Sequence, residues 1–218
     1  MSNEVKLSIK PFTPSSKTFH GVMKGEPYNV TISSKARASG DEAGWYVRRS
    51  EHTDGTFDEF WEKLGRNKAI NAKEYATLLK QISPTQSICP LHYHLIPLVS
   101  DRIFTVLQAT HLEGGEHGTP REGRVISGPV DVSEDAEMKA KERKGVKGRY
   151  ISVLRLREGI EGEALEWMMA TSSTPGGSIP QFITERTMPS QTFKAAAEVI
   201  IGTGEPLPVP TTTEAITA

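Results

Sequence analysis

The side chains best suited to chemistry fall in two short runs. The first is Tyr46, Arg48, Ser50 and His52 within WYVRRSEH. At a spacing of two, an extended chain puts all four on one face and Trp45 and Val47 on the other. A phenol, a guanidinium, a hydroxyl and an imidazole on one side could orient an oxygenated molecule. An ordinary imidazole titrates near neutrality, so His52 could also move a proton. The same alternation describes the wet face of an edge strand, which is the plainer of the two readings. The second run is LHYHL, residues 91–95. His92 and His94 share a face, and two imidazoles one strand step apart can hold a metal, but no third ligand stands at a fixed spacing from them. Leu91, Tyr93 and Leu95 make the better apolar face. The histidines are therefore expected to point outward, and no metal site is expected.

Nothing else in the chain forms a reactive set. Cys89 precedes Pro90, and Ser172 and Ser173 stand together, all without an identifiable base. The glycine pairs at Gly114 and Gly176 lack the lysine and the spacing of a phosphate loop, so no cofactor is expected. The formal charge of -1 leaves no electrostatic footprint for nucleic acid. No apolar run approaches the roughly 18 residues that span a bilayer. One cysteine excludes an intramolecular disulfide, and residues 1–10 carry Glu4 and Lys6 in place of an apolar leader core. The expected location is cytoplasmic.

These residues need elements to position them. Strand composition marks residues 5–9, 28–32 and 45–52. Thr56 with Glu59 is a capping box, after which Phe57, Phe60, Trp61 and Leu64 recur at helical spacing up to Gly65. A second helix is expected over residues 71–81, with Tyr75, Leu78 and Leu79 on one side. The period then switches to two. Strands are expected over residues 88–99, 102–112, 124–132, 149–157 and 163–172. Residues 133–147 are almost wholly charged and read as a solvated loop or an exposed helical excursion. Gly176 and Gly177 break the last strand, Ser178 can cap the helix after it, and Pro180 suits a first turn. This long helix is expected over residues 179–200, kinked at Pro189, with Phe182, Pro189, Phe193, Ala196 and Ile200 near one face. Consecutive strands joined by turns make an antiparallel sheet, hence an α+β fold. The expected division is an N-terminal extension with short strands at 1–43, one domain at 44–201, and a disordered tail of prolines and threonines at 202–218.

Several blocks carry a family likeness. TSSTPGGSIPQFITERTMP, residues 171–189, resembles the START-domain junction, where the last strand turns through Pro-Gly-Gly and an Ile-Pro step into a lid helix. Thr174 stands where that family often has aspartate. PLVSDRIFTVL (97–107), WYVRRSEHTDGTFDEFWEKL (45–64), KGVKGRYISVLRL (144–156) and EWMMATSSTPGG (166–177) add to it. Together they resemble the fungal branch of START-like proteins, catalogued as a domain of unknown function. The resemblance implies a helix-grip (Bet v 1-like) fold, a curved antiparallel sheet closed over a cavity by a long C-terminal lid helix. It also implies an acidic partner across the sheet for Arg102, of which Glu166 is one possibility.

Such a superfold hosts lipid carriers, sensors and cyclases alike. The leading expectation is a protein that binds a hydrophobic small molecule, a lipid, sterol or polyketide- or terpenoid-like metabolite, in an internal cavity. Tyr93, Phe104, Trp167, Met169, Phe182 and Phe193 would be the apolar walls, and Arg48 and His52 the polar anchors. Trp167, Met169 and Thr171 share a strand face, for which ordinary core packing is an equally good account. The alternative is a cyclase, isomerase or dehydratase of fungal secondary metabolism on the same frame, with His52, Tyr93 and Arg48 performing acid–base work.

Overall fold

The computed structural model describes residues 13–23, 26–37, 42–53, 55–66, 76–93, 100–160 and 163–177. The expected strand at 5–9, the lid helix with Phe182 and Phe193, and the tail after 202 lie outside the described residues.

Among the described residues ten strands form one sheet. They are β1 (Thr13–Met23), β2 (Glu26–Lys35), β3 (Trp45–His52), β4 (Lys80–Ser83), β5 (Gln86–Tyr93), β6 (Arg102–Glu113), β7 (Glu122–Pro129), β8 (Val146–Lys147), β9 (Arg149–Arg157) and β10 (Leu165–Thr174). Their spatial order is β1-β2-β3-β10-β9-β7-β6-β5-β4, every neighbouring pair antiparallel, with β8 lying parallel against β6. Hairpins build the β4–β7 side. The pairing of β3 with β10 joins the two ends of the sheet in sequence, with Ser50 opposite Trp167 and Arg48 opposite Met169.

Two short helices accompany the sheet. The first, α1 (Phe57–Trp61), starts at the capping box read from the sequence: Thr56 Oγ1 accepts from the Glu59 N–H, and the Glu59 carboxylate accepts from the Thr56 N–H at 2.9 Å. It runs into one π-helical turn, Glu62–Arg66, so the helical path continues one residue past Gly65. Phe57, Phe60, Trp61 and Leu64 are all buried against Val30, Ile32, Val125, Leu154, Leu156, Leu165 and Trp167. At about 1.5–3 kcal/mol per large side chain, this burial is what holds so short a helix in place. Arg121 fastens its outer side, bonding Asp58 at 2.8 Å and Glu158 at 2.7 Å while lying 4.5 Å above the Phe57 ring. That pairing holds the Glu158 carboxyl below the usual carboxylate range. The second helix, α2 (Ala136–Lys141), buries none of its residues wholly and is the exposed excursion expected in the charged segment.

The second expected helix is corrected where it is described. Ala76 bridges Leu91, and Lys80–Ser83 is a strand. The Thr77 N–H donates to the Pro90 carbonyl at 3.2 Å and the Leu79 N–H to the Ile88 carbonyl at 2.9 Å. The free edge of β5 takes this chain as its partner, and backbone pairing overrides a helical spacing of leucines. The edge-strand reading of residues 45–52 is corrected too, because β3 lies between β2 and β10. Glu166 does not meet Arg102. It faces outward on β10, where Arg49 Nε reaches it at 2.6 Å and Arg155 bonds its other oxygen, whereas Arg102 on β6 donates to the Ser100 carbonyl.

Gly123 fixes the seat of α1. It lies inside β7 directly beneath Trp61, and a Cβ there would clash with the indole ring. Gly128, five residues on in the same strand, faces open space. Gly123→Ala is expected to destabilise by about 1–3 kcal/mol through overpacking, and Gly128→Ala by less than about 0.5 kcal/mol, as is usual for a surface change. Urea unfolding of both variants checks this pair.

Candidate functional site

The pleat sends Tyr46, Arg48, Ser50 and His52 to one face of the sheet, together with Val30, Ile32, Leu154, Leu156, Leu165, Trp167, Met169 and Thr171. Because α1 packs on this face, it is the inner one. Three zones succeed each other along it.

The first zone, under α1, is filled. Arg48 is 0% exposed and Trp167 1% exposed, and the Arg48 guanidinium lies 3.9 Å from the Trp167 ring centroid, a cation–π contact. His52, 2% exposed, has its ring 4.9 Å from Phe60 and 6.2 Å from Trp167. Its Nε2 is 2.8 Å from the Ser50 hydroxyl. Phe60 of α1 packs on both His52 and Trp167, so the helix plugs this end of the face.

The second zone is a polar row. Reading neighbour to neighbour from β2 to β4, it runs Ser34, Tyr46, Thr171, Ser152, Ser127, Gln108, Ser87, Gln81. Each of eight adjacent strands puts a polar side chain at this level. The adjacent level on the plug side, Ile32, Arg48, Met169, Leu154, Val125 and Thr110, is apolar at four of its six positions. Ser152, Thr171, Gln108 and Ser127 are buried. Thr171 Oγ1 donates to the Ile151 carbonyl at 3.3 Å. Ser127 is wholly inaccessible, and among the described residues its Oγ has no hydrogen-bond partner.

The third zone, beyond the row, is aromatic. Phe104 meets Tyr93 edge-on at 5.7 Å and Tyr150 at 6.1 Å, with Ala76, Leu91 and Val106 beside them. Gly148 makes room for the Phe104 ring, since a Cβ there would collide with it. The chain then leaves β10 through Gly176 and Gly177, both at a positive φ (67° and 65°) that glycine takes without steric cost.

The expected site residues thus divide. Arg48, His52 and Trp167 come together under α1. Tyr93 and Phe104 come together in the aromatic zone. Met169 faces inward between Arg48 and Leu154. His52 and Tyr93 are not brought together. Four strands separate theirs, and each lies six residues from the polar row in opposite directions. Phe182 and Phe193 lie outside the described residues. His92 does turn away from the Leu91 and Tyr93 face, but it is buried, 3.3 Å from Asp101 and 3.4 Å from Arg143. Tyr150 and the serines of the row were not singled out from the sequence. Their types are unremarkable, and only the register across the sheet lines them up.

The sequence profile of the family described as "Protein of unknown function (DUF3074)" matches residues 45–201, most of the chain. The chain belongs to that family. A search of curated proteins finds none that matches it. Among solved structures, this DUF3074 member is similar to human STARD10, with a TM-score of 0.63 at 10% identity, over 84% of this chain and 71% of the other. It is similar to the lipid transfer and protein localization domain of human StarD13 (TM-score 0.59, 12% identity, 88% and 90% covered). The STAR-related lipid transfer protein of Xanthomonas axonopodis matches with a TM-score of 0.60 at 15% identity, over 87% and 96%. At such identities the likeness establishes a START-like fold. No helix among the described residues is long and apolar enough to cross a membrane.

Tyr150 reports on the junction of the second and third zones. The residue keeps some exposed surface, but its hydroxyl is buried. Burial pushes the phenol up, and hydrogen bonding with Ser152 and Thr171 works the other way without cancelling it. A raised folded pKa means that the native state keeps this proton where the unfolded chain loses it. The contribution is whole below the ordinary phenol value of about 10 and is lost as pH rises through it. The stability difference between wild type and Tyr150→Phe is expected to be constant from pH 8 to 9.5. Above about pH 10 it should move against the wild type by up to ~1.4 kcal/mol per pH unit. Urea titrations at stepped pH measure this, and a difference that ignores pH contradicts a buried hydroxyl.

Proposed function

We propose that this protein holds a hydrophobic small molecule, of lipid, sterol or polyketide-like character, against the inner face of its sheet in the cytoplasm. One observation carries the reading. Tyr46, Tyr93, Tyr150 and Met169 point inward, away from the filled zone or at its margin, yet each keeps accessible surface. Large inward side chains that stay partly exposed mark a face with room above it. The match to proteins whose names include lipid transfer supports the same reading.

In this reading Tyr93, Phe104, Tyr150 and Met169 form the sheet-side wall, with Phe182 and Phe193 expected to close it from the lid. Arg48 stands opposite Met169, one level from the polar row on the plug side. Trp167 and His52 shape the plugged end from beneath α1. The placement of His52 and Tyr93 at opposite ends favours a binding protein over an enzyme that uses this pair for acid–base work.

Native mass spectrometry of protein taken from its own host is expected to show a bound apolar molecule. Tyr93→Ala is expected to weaken binding of the fluorescent probe 1-dodecylpyrene about tenfold, or ~1.4 kcal/mol, measured at a temperature where the variant is fully folded. Protein that emerges empty and ignores the probe would overturn the reading.

A further inference from the structure

The polar row asks for an occupant of a particular kind. A buried hydroxyl without a partner is costly to the fold, and such groups normally acquire one. Ser127 sits mid-row with Ser152 and Gln108 on either side, wholly buried, its Oγ lacking a partner among the described residues. The face on one side of the row is filled by α1. On the other side, from Ser87 to Tyr93, six residues of β5 run past the row, about 20 Å of strand, along an aromatic wall. A molecule lying on that wall has the row at its inner end, with Ser173 opposite Tyr150 and Arg102 opposite Tyr93 farther out on the same face.

The geometry points to a ligand class: a long apolar molecule with one neutral oxygen function, a hydroxyl or a ketone, that enters oxygen first and places it at Ser127. This rests on the proposed binding function and specifies its ligand. Serine can both donate and accept, so it serves either function. A bulky ionic headgroup has no place at the inner end, because the row is closed behind by the helix. A site built to hydrogen-bond an oxygen discriminates against the analogue lacking it more sharply than an apolar pocket discriminates by size.

Two probes matched in shape test this, 12-(1-pyrenyl)dodecan-1-ol and 1-dodecylpyrene. Wild type is expected to bind the alcohol at least about tenfold more tightly, a difference of ~1.4 kcal/mol. In Ser127→Ala that preference should fall below about threefold, with dodecylpyrene bound as well as before. The ligand-free variant should also unfold about 2–4 °C higher than wild type, because an unpartnered buried hydroxyl is gone. Equal binding of the two probes by wild type overturns the proposal while leaving the binding function standing. So does an unchanged preference in the variant, or a lower unfolding temperature, which would show that the hydroxyl is satisfied within the protein. Failure of both probes to bind wild type would remove the binding function and this inference with it.

Discussion

The register between β3 and β10 governs the inner face. With Ser50 opposite Trp167, the Arg48 guanidinium lands on the Trp167 ring, and Phe60 can pack on both Trp167 and His52. The side-chain period is two, so a slip of one residue would turn Arg48 and His52 outward and put Arg49 and Glu51 inside. The slip is penalised from both sides. Inside, α1 would lose the apolar surface that holds it. Outside, Glu166 would lose its place between Arg49 and Arg155. A pair of strands from opposite ends of the sequence is thereby locked in one alignment, and with it the level of each inward side chain on six neighbouring strands.

That alignment explains how one face can be both core and site. A helix of one turn and a half cannot cover a ten-stranded sheet. It covers one end, where Trp61 sinks onto the backbone at Gly123. Across the middle the strands carry hydroxyl and amide side chains where a packed core would carry aliphatic ones. Past this level Tyr93, Phe104 and Tyr150 cluster, with Tyr93 and Tyr150 in part accessible. A fold selected only for stability would fill this surface. A polar level beside an aromatic zone, neither covered by α1, suits the proposed carrier of an apolar molecule with one polar end.

Much of this was legible in the residues. The capping box at Thr56 and Glu59, the bounds of β3 and β9, the common face of Tyr46, Arg48, Ser50 and His52, and the positive φ of Gly176 and Gly177 come from local chemistry. The family likeness lay in blocks that local reading could quote. What failed was long-range. Leu78 and Leu79 sit at helical spacing, but the open edge of β5 claimed that stretch as a strand. Four alternating polar residues on β3 read as a wet edge, because nothing in residues 45–52 says that two other strands flank them. Glu166 was within reach of Arg102 only as a pattern, and its neighbours across β3 and β9 decided its partners. The polar row was invisible for the same reason. It consists of one ordinary residue per strand, and it exists only through the register of eight strands.

The central claim is that a ligand lies on the inner face beyond the polar level. Isotope-filtered nuclear Overhauser spectra of 12-(1-pyrenyl)dodecan-1-ol bound to the labelled protein test it most directly. Cross-peaks from the probe to the ring protons of Tyr93, Phe104 and Tyr150 are the predicted result. Cross-peaks confined to outward residues such as Ile126 and Val153 would contradict it.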